Sequence, residues 1–120
     1  MRHTDEYRLR RIAETGMLLI HLLEDEKIDK KRLEDDYRVQ WQVTTPLYNI
    51  GEQVYCLSGE YKNAHPEVPW TGIAGLRHRL VHDYEGTDWS MISSIIFEEL
   101  PSFLSQIDVL LNEFSQEGRI

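Results

Sequence analysis

The chain has 120 residues, 41% of them hydrophobic and 28% charged, and a net charge of −8 at neutral pH. That suffices for one domain around a single core and is too short for two. The net acidity argues against tight, sequence-indifferent nucleic-acid binding, which depends on Lys and Arg neutralising phosphates. Cys56 is the one cysteine, which excludes an intramolecular disulfide and suits a reducing, cytoplasmic setting. The opening Met1-Arg2-His3-Thr4-Asp5-Glu6 has no signal-peptide core. The longest apolar run, Met17 to Leu23, is interrupted by His21 and too short to cross a bilayer, so no membrane partner is expected.

Residues 4–24 read as a first helix capped by Thr4 or Asp5, with Leu9, Ile12, Met17, Ile20 and Leu23 as its core stripe. Gly16 in that pattern costs helix stability and lets a neighbour approach closely. Asp29 can cap a second, long helix over 30–57. Lys30-Lys31-Arg32 is followed at i,i+4 by Glu34-Asp35-Asp36, so it reads mainly as a self-neutralising solvated face. Leu33, Tyr37, Trp41, Leu47, Ile50, Val54 and Leu57 carry the apolar pattern, and Pro46 is expected to kink or split the helix. Gly51 marks a second close packing point. Residues 58–68, with Gly59, Asn63, His65 and Pro66, read as a loop.

Pro69 opens a third helix, about Trp70 to Asp83, anchored by Ile73, Leu76, Leu80 and Val81. Asp88 caps a fourth, with Trp89, Ile92, Ile95 and Ile96 inward. Leu100-Pro101 is expected to interrupt it before Phe103, Leu104, Ile107, Leu110, Leu111 and Phe114 continue the pattern. With no convincing strand, the whole chain, 1–120, reads as one all-α domain: an antiparallel bundle of four or five helices, some kinked. Trp41, Trp70 and Trp89 are most simply core or interface residues, with stacking on a nucleobase as the alternative.

The chemistry concentrates in Arg77-His78-Arg79-Leu80-Val81-His82-Asp83-Tyr84. Arginine presents a planar, permanently charged fork to phosphate oxygens, and histidine exchanges protons near neutral pH. Arg77 and His82 lie about 7.5 Å apart along a helix and about 140° apart around it. They converge on one phosphate only through the reach of the guanidinium, a geometry suited to a site completed by a second copy across a two-fold axis. Tyr84 is a further 200° or so round from His82, so the helix must loosen there, and Gly86 supplies a stop. Residues 1–79 hold twelve of the thirteen basic residues, whereas 80–118 hold none and eight acids. The basic end of the motif therefore reads as a local phosphate site, and the acidic region as a solvated face or a docking surface for a basic partner.

Arg77, four residues, His82, one residue, Tyr84 resembles the Rx4HxY signature of the HEPN superfamily, specifically its HepT-like toxin ribonucleases. Where asparagine often follows the arginine, this chain has His78. Ile50-Gly51-Glu52, Pro69-Trp70, Ile73, Gly75-Leu76-Arg77, Asp88 and Leu100-Pro101 agree in order and spacing, so the resemblance covers roughly residues 5–115. It implies a HEPN-like fold and a homodimeric endoribonuclease that needs neither metal nor cofactor. RNA would be the substrate, with Arg77 and His82 catalytic and His78 positioning or auxiliary. It also implies a nucleotidyltransferase antitoxin of the MntA type that can transfer AMP to Tyr84. Blander readings stand beside it. Arg77 and His82 could be surface residues paired with Asp83, Glu85 or Glu52. His78 and His82, at i,i+4, could hold a metal, although no third ligand is evident. The chain could also be a non-catalytic helical partner of a nucleotidyltransferase, or an adaptor whose motif only closes a dimer.

Overall fold

In the computed structural model, which describes residues 4–81 and 86–117, the starts of five helices are fixed by a polar side chain that accepts a backbone N–H. Thr4 accepts a hydrogen bond from the Tyr7 amide and opens α1, Asp5–Asp25. Asp29 does the same for α2, Lys30–Asp35, by accepting from the Arg32 amide. Asp36 then turns to an extended conformation, accepts from the Arg38 amide and starts α3, Tyr37–Cys56. The chain continues through α4 (Gly59–Ala64), α5 (Trp70–Val81) and α6 (Trp89–Ser94) into a π-helical turn, Ile95–Glu99, and α7 (Leu100–Glu117). Among the described residues there is no strand, and the all-α expectation holds.

The breaks fall elsewhere than the sequence reading placed them. The expected helix over 30–57 divides at Asp36, not at Pro46, which lies inside a continuous α3. At Asp36 the loose ends are satisfied: the Gln40 side chain donates through Nε2 to the Leu33 and Glu34 carbonyls, completing the end of α2. At Pro46 one backbone bond is lost, but fully buried Val43, Leu47 and Ile50 on both sides hold the helix to the core. Leu100-Pro101 does not interrupt the fourth helix either. The π-turn widens the helix, with the Leu100 amide bonded to the Ile95 carbonyl, and passes the chain into α7 with Pro101 in its first turn. The expected loop over 58–68 contains α4, capped by Ser58 accepting from the Tyr61 amide.

The core lies between α1, α3, α5 and α7. Leu9, Ile12, Leu19 and Leu23 of α1 meet Val39, Val43, Leu47, Ile50 and Val54 of α3 together with Phe103 and Ile107 of α7. Met17, expected in the α1 stripe, is 59% exposed. It lies about 100° round the helix from Gly16, and Gly16 and Leu19 take the buried face. Gly16 is a contact point: a Cβ there would collide with the Leu104 side chain. Trp70 meets Phe103 edge-on, with ring centroids 6.2 Å apart, and donates its indole N–H to the His65 carbonyl at 2.9 Å. Trp89 is partly buried against the core, whereas Trp41 is 72% exposed and not a core residue. Lys31 pairs with Asp35 as the i,i+4 spacing implied, while Lys30 reaches Glu98 of the π-turn instead. No described helix is long and apolar enough to cross a membrane.

Candidate active site

The site is built where α5 crosses α3. Gly51 makes the crossing close: a Cβ there would lie 2.9 Å from the Arg77 backbone nitrogen and 3.2 Å from the Ile73 carbonyl oxygen. Buried Ile73, Leu76 and Leu80 turn one face of α5 into the core and leave Arg77 at its margin, half-exposed. With the backbones so close, the side chain beside Gly51 meets the first polar group of Arg77. Glu52 Oε2 accepts from Arg77 Nε at 2.6 Å, and each side chain keeps about a third of its surface.

The guanidinium carbon lies 4.2 Å from the centroid of the Tyr55 ring, within cation–π range. The other oxygen of Glu52, Oε1, is 3.6 Å from the Cys56 thiol, which donates to it. Next along α3, Gln53 accepts from Arg8 of α1 at 3.0 Å, which ties the third helix into the frame. The hydrogen bond to Glu52 raises the Arg77 pKa; desolvation opposes it, and the charge of Glu52 with smaller contributions from Tyr55 and Tyr48 adds to the rise. Arg77 is thus a fixed cation. Glu52 engages only Nε, the innermost donor, and the terminal nitrogens make no hydrogen bond to a described side chain. That leaves Nη1 and Nη2, a pair of donors that can bind a phosphate bidentately.

Of the residues singled out in the sequence, Arg77 and His78 are described, whereas His82 and Tyr84 lie outside the described residues, as does the stretch where α5 was expected to loosen. His78 is exposed on α5, about 100° round from Arg77, so it does not share the face that meets α3. The ordinary pairing of Arg77 with Glu52 is present. It coexists with an open fork, so it does not exclude a phosphate site. Among the described residues no group of three His, Cys, Asp or Glu side chains is placed to hold a metal.

Tyr48 and Tyr55 were not read as site residues. The signal for them is helical spacing: Tyr48, Glu52 and Tyr55, at steps of four and three, share one face of α3. Because Gly51 marks the crossing, that face is the one beside Arg77.

The chain matches the family model described as Ribonuclease HepT-like over residues 6–110. It belongs to the HepT-like ribonuclease family. Within this family it is 33% identical over 82 residues to a Methanocaldococcus jannaschii protein named as an inferred RNase (MJ0127), an alignment covering 68% of each chain. It is 32% identical over 75 residues to a protein of Thermococcus cleftensis named Probable ribonuclease HepT, covering 62% of this chain and 68% of that one. A second M. jannaschii protein named as an inferred RNase (MJ1380) is 26% identical over 99 residues, covering 82% of this chain and 89% of its own length. No solved structure matches the chain. The HepT-like, HEPN-like expectation drawn from the signature is therefore correct at the level of family and fold class.

Proposed function

We propose that this HepT-like chain is a metal-independent endoribonuclease toxin, acting as a homodimer and neutralised by a nucleotidyltransferase antitoxin of the MntA type. The observation that carries the reading is Arg77: within a chain of a ribonuclease family, it is held by Glu52 and Tyr55 as a permanent cation with its outer donors available. In the reaction, His82 takes the proton of an RNA 2′-hydroxyl, whose oxygen attacks the adjacent phosphorus. The bond to the 5′-oxygen breaks, that oxygen takes a proton from the His82 of a second copy, and a 2′,3′-cyclic phosphate is left. Arg77 stabilises charge gathering on the non-bridging oxygens, and His78 positions the strand or relays protons. RNA incubated with a His82→Ala protein of unchanged oligomeric state is expected to stay intact; undiminished cleavage refutes the assignment.

In the regulatory step the Tyr84 hydroxyl attacks the α-phosphorus of ATP, forming a phosphodiester to AMP and releasing pyrophosphate. The adduct places an anion within reach of Arg77 and excludes RNA. Intact-mass measurement after co-expression with an active transferase should show a gain of one AMP, absent in Tyr84→Phe; an unmodified chain rejects this mechanism. A second reading, a non-catalytic helical partner of a nucleotidyltransferase, is favoured by the net charge of −8. It predicts that antitoxin binding survives while RNA is never cut.

A further inference from the structure

One face of α3 carries aromatic rings from its first turn to its last. Tyr37, Trp41, Tyr48 and Tyr55 fall within about 40° of arc at 100° per residue. Tyr37 is 53% exposed, Trp41 72% and Tyr55 56%, and Tyr48 is half-buried between them. At the far end Tyr37 and Trp41 brace one another edge to face, with centroids 4.9 Å apart, and the Arg38 guanidinium lies 5.7 Å from the Tyr37 centroid. A depression beside Trp41 is lined by Arg32, Arg38 and Gln42 together with Glu26 and Asp36. At the near end Tyr55 lies under the Arg77 guanidinium. The stripe therefore begins at one arginine and ends at the other.

Exposed rings this large on a helix face ordinarily meet a partner. Resting on the ribonuclease reading of Arg77, we infer that this face is a stacking track for single-stranded RNA, leading the strand along α3 into the Arg77 site. The net charge opposes a polyanion, and a chain at −8 gains little from a sequence-independent phosphate atmosphere; the strand is held instead by base stacking on aromatic rings, which is tolerant of sequence. The ends of the track fit as well, because each pairs rings with an arginine, as a strand of alternating bases and phosphates requires. Trp41 and Tyr55 are fourteen residues apart, about 21 Å along the helix, a span on the order of six nucleotides at 3.4 Å per stacked nucleotide. A strand must exceed that length to use both ends.

The test is the affinity of the full chain for 2′-O-methyl oligouridylates, which lack the attacking hydroxyl, at about twelve and about three nucleotides. The wild type is expected to prefer the longer strand. Trp41→Ala should reduce the ratio of the two affinities about tenfold, Trp41→Phe should retain most of it, and Val109→Ala, an exposed apolar change on α7, should leave it unaltered. An unchanged ratio in Trp41→Ala overturns the track. So does a drop in molar mass by light scattering in that variant without a change in the ratio, because the face then joins copies of the chain. Length-dependent binding with no cleavage of ordinary RNA supports the track and refutes the nuclease reading. Cleavage with an unchanged ratio does the reverse.

Discussion

Arg77→Ala is expected to lower the turnover number on RNA by about 10²- to 10³-fold, the usual consequence of removing one preorganised group that meets transition-state charge. The loss should fall on kcat more than on KM, since the guanidinium acts where charge develops on the phosphate. Arg77→Lys should recover little. A lysine ammonium can meet Glu52 or a phosphate, but it lacks the planar fork that lets Nε hold Glu52 while the outer nitrogens stay available. Single-turnover cleavage of a labelled RNA by the three proteins decides the matter. An Arg77→Lys protein as fast as wild type would show that only a positive charge is needed and that the fork geometry is irrelevant.

Gly51→Val is expected to cost about 3 kcal/mol of folding stability in urea denaturation, at the upper end of ordinary overpacking. The cost arises because the nearest obstacles to a Cβ at 51 are the Arg77 backbone nitrogen at 2.9 Å and the Ile73 carbonyl at 3.2 Å, and backbone of a packed helix does not swing aside as a side chain does. Pushing α5 off α3 would also lengthen the Glu52–Arg77 pair, so any RNA cleavage should fall beyond what reduced folding explains. The contrast is Gly72→Ala in α5, where nothing lies within 4 Å of an added Cβ. There the reduced entropy of the unfolded chain should raise stability by about 0.5–1 kcal/mol. Equal effects at the two glycines would mean that α3 and α5 do not cross as closely as described.

Much of the frame was legible because it is written in short-range signals. Thr4, Asp29 and Asp88 announce helix starts by residue type and position, and each accepts the expected amide. Gly16 and Gly51 were legible as close approaches for the same reason, since an absent side chain in an apolar face has few other uses. The errors arose where one signal had to be weighed against tertiary packing. Pro46 and Pro101 look like breaks, yet a buried face holds α3 together through the first and a π-turn absorbs the second. Asp36, which does break the helix, sat in a run of acids and was read as part of a charged face. Trp41 was read as a core or interface residue; fully buried Val43 and nearly buried Val39 take the inner face and leave it outside, which removes the core option. For the candidate site, Arg77 was singled out by residue type and by its place in the Rx4HxY pattern. The roles of Glu52 and Tyr55 depend on which helix crosses which, and a linear pattern does not state that.

The most direct test of the central claim is incubation of purified chain, free of any adduct on Tyr84, with a mixed RNA pool in excess EDTA. The account predicts cleavage with cyclic phosphate ends that disappears in both Arg77→Ala and His82→Ala. Intact RNA with the unmodified wild type, or cleavage that persists in the two variants, would contradict it.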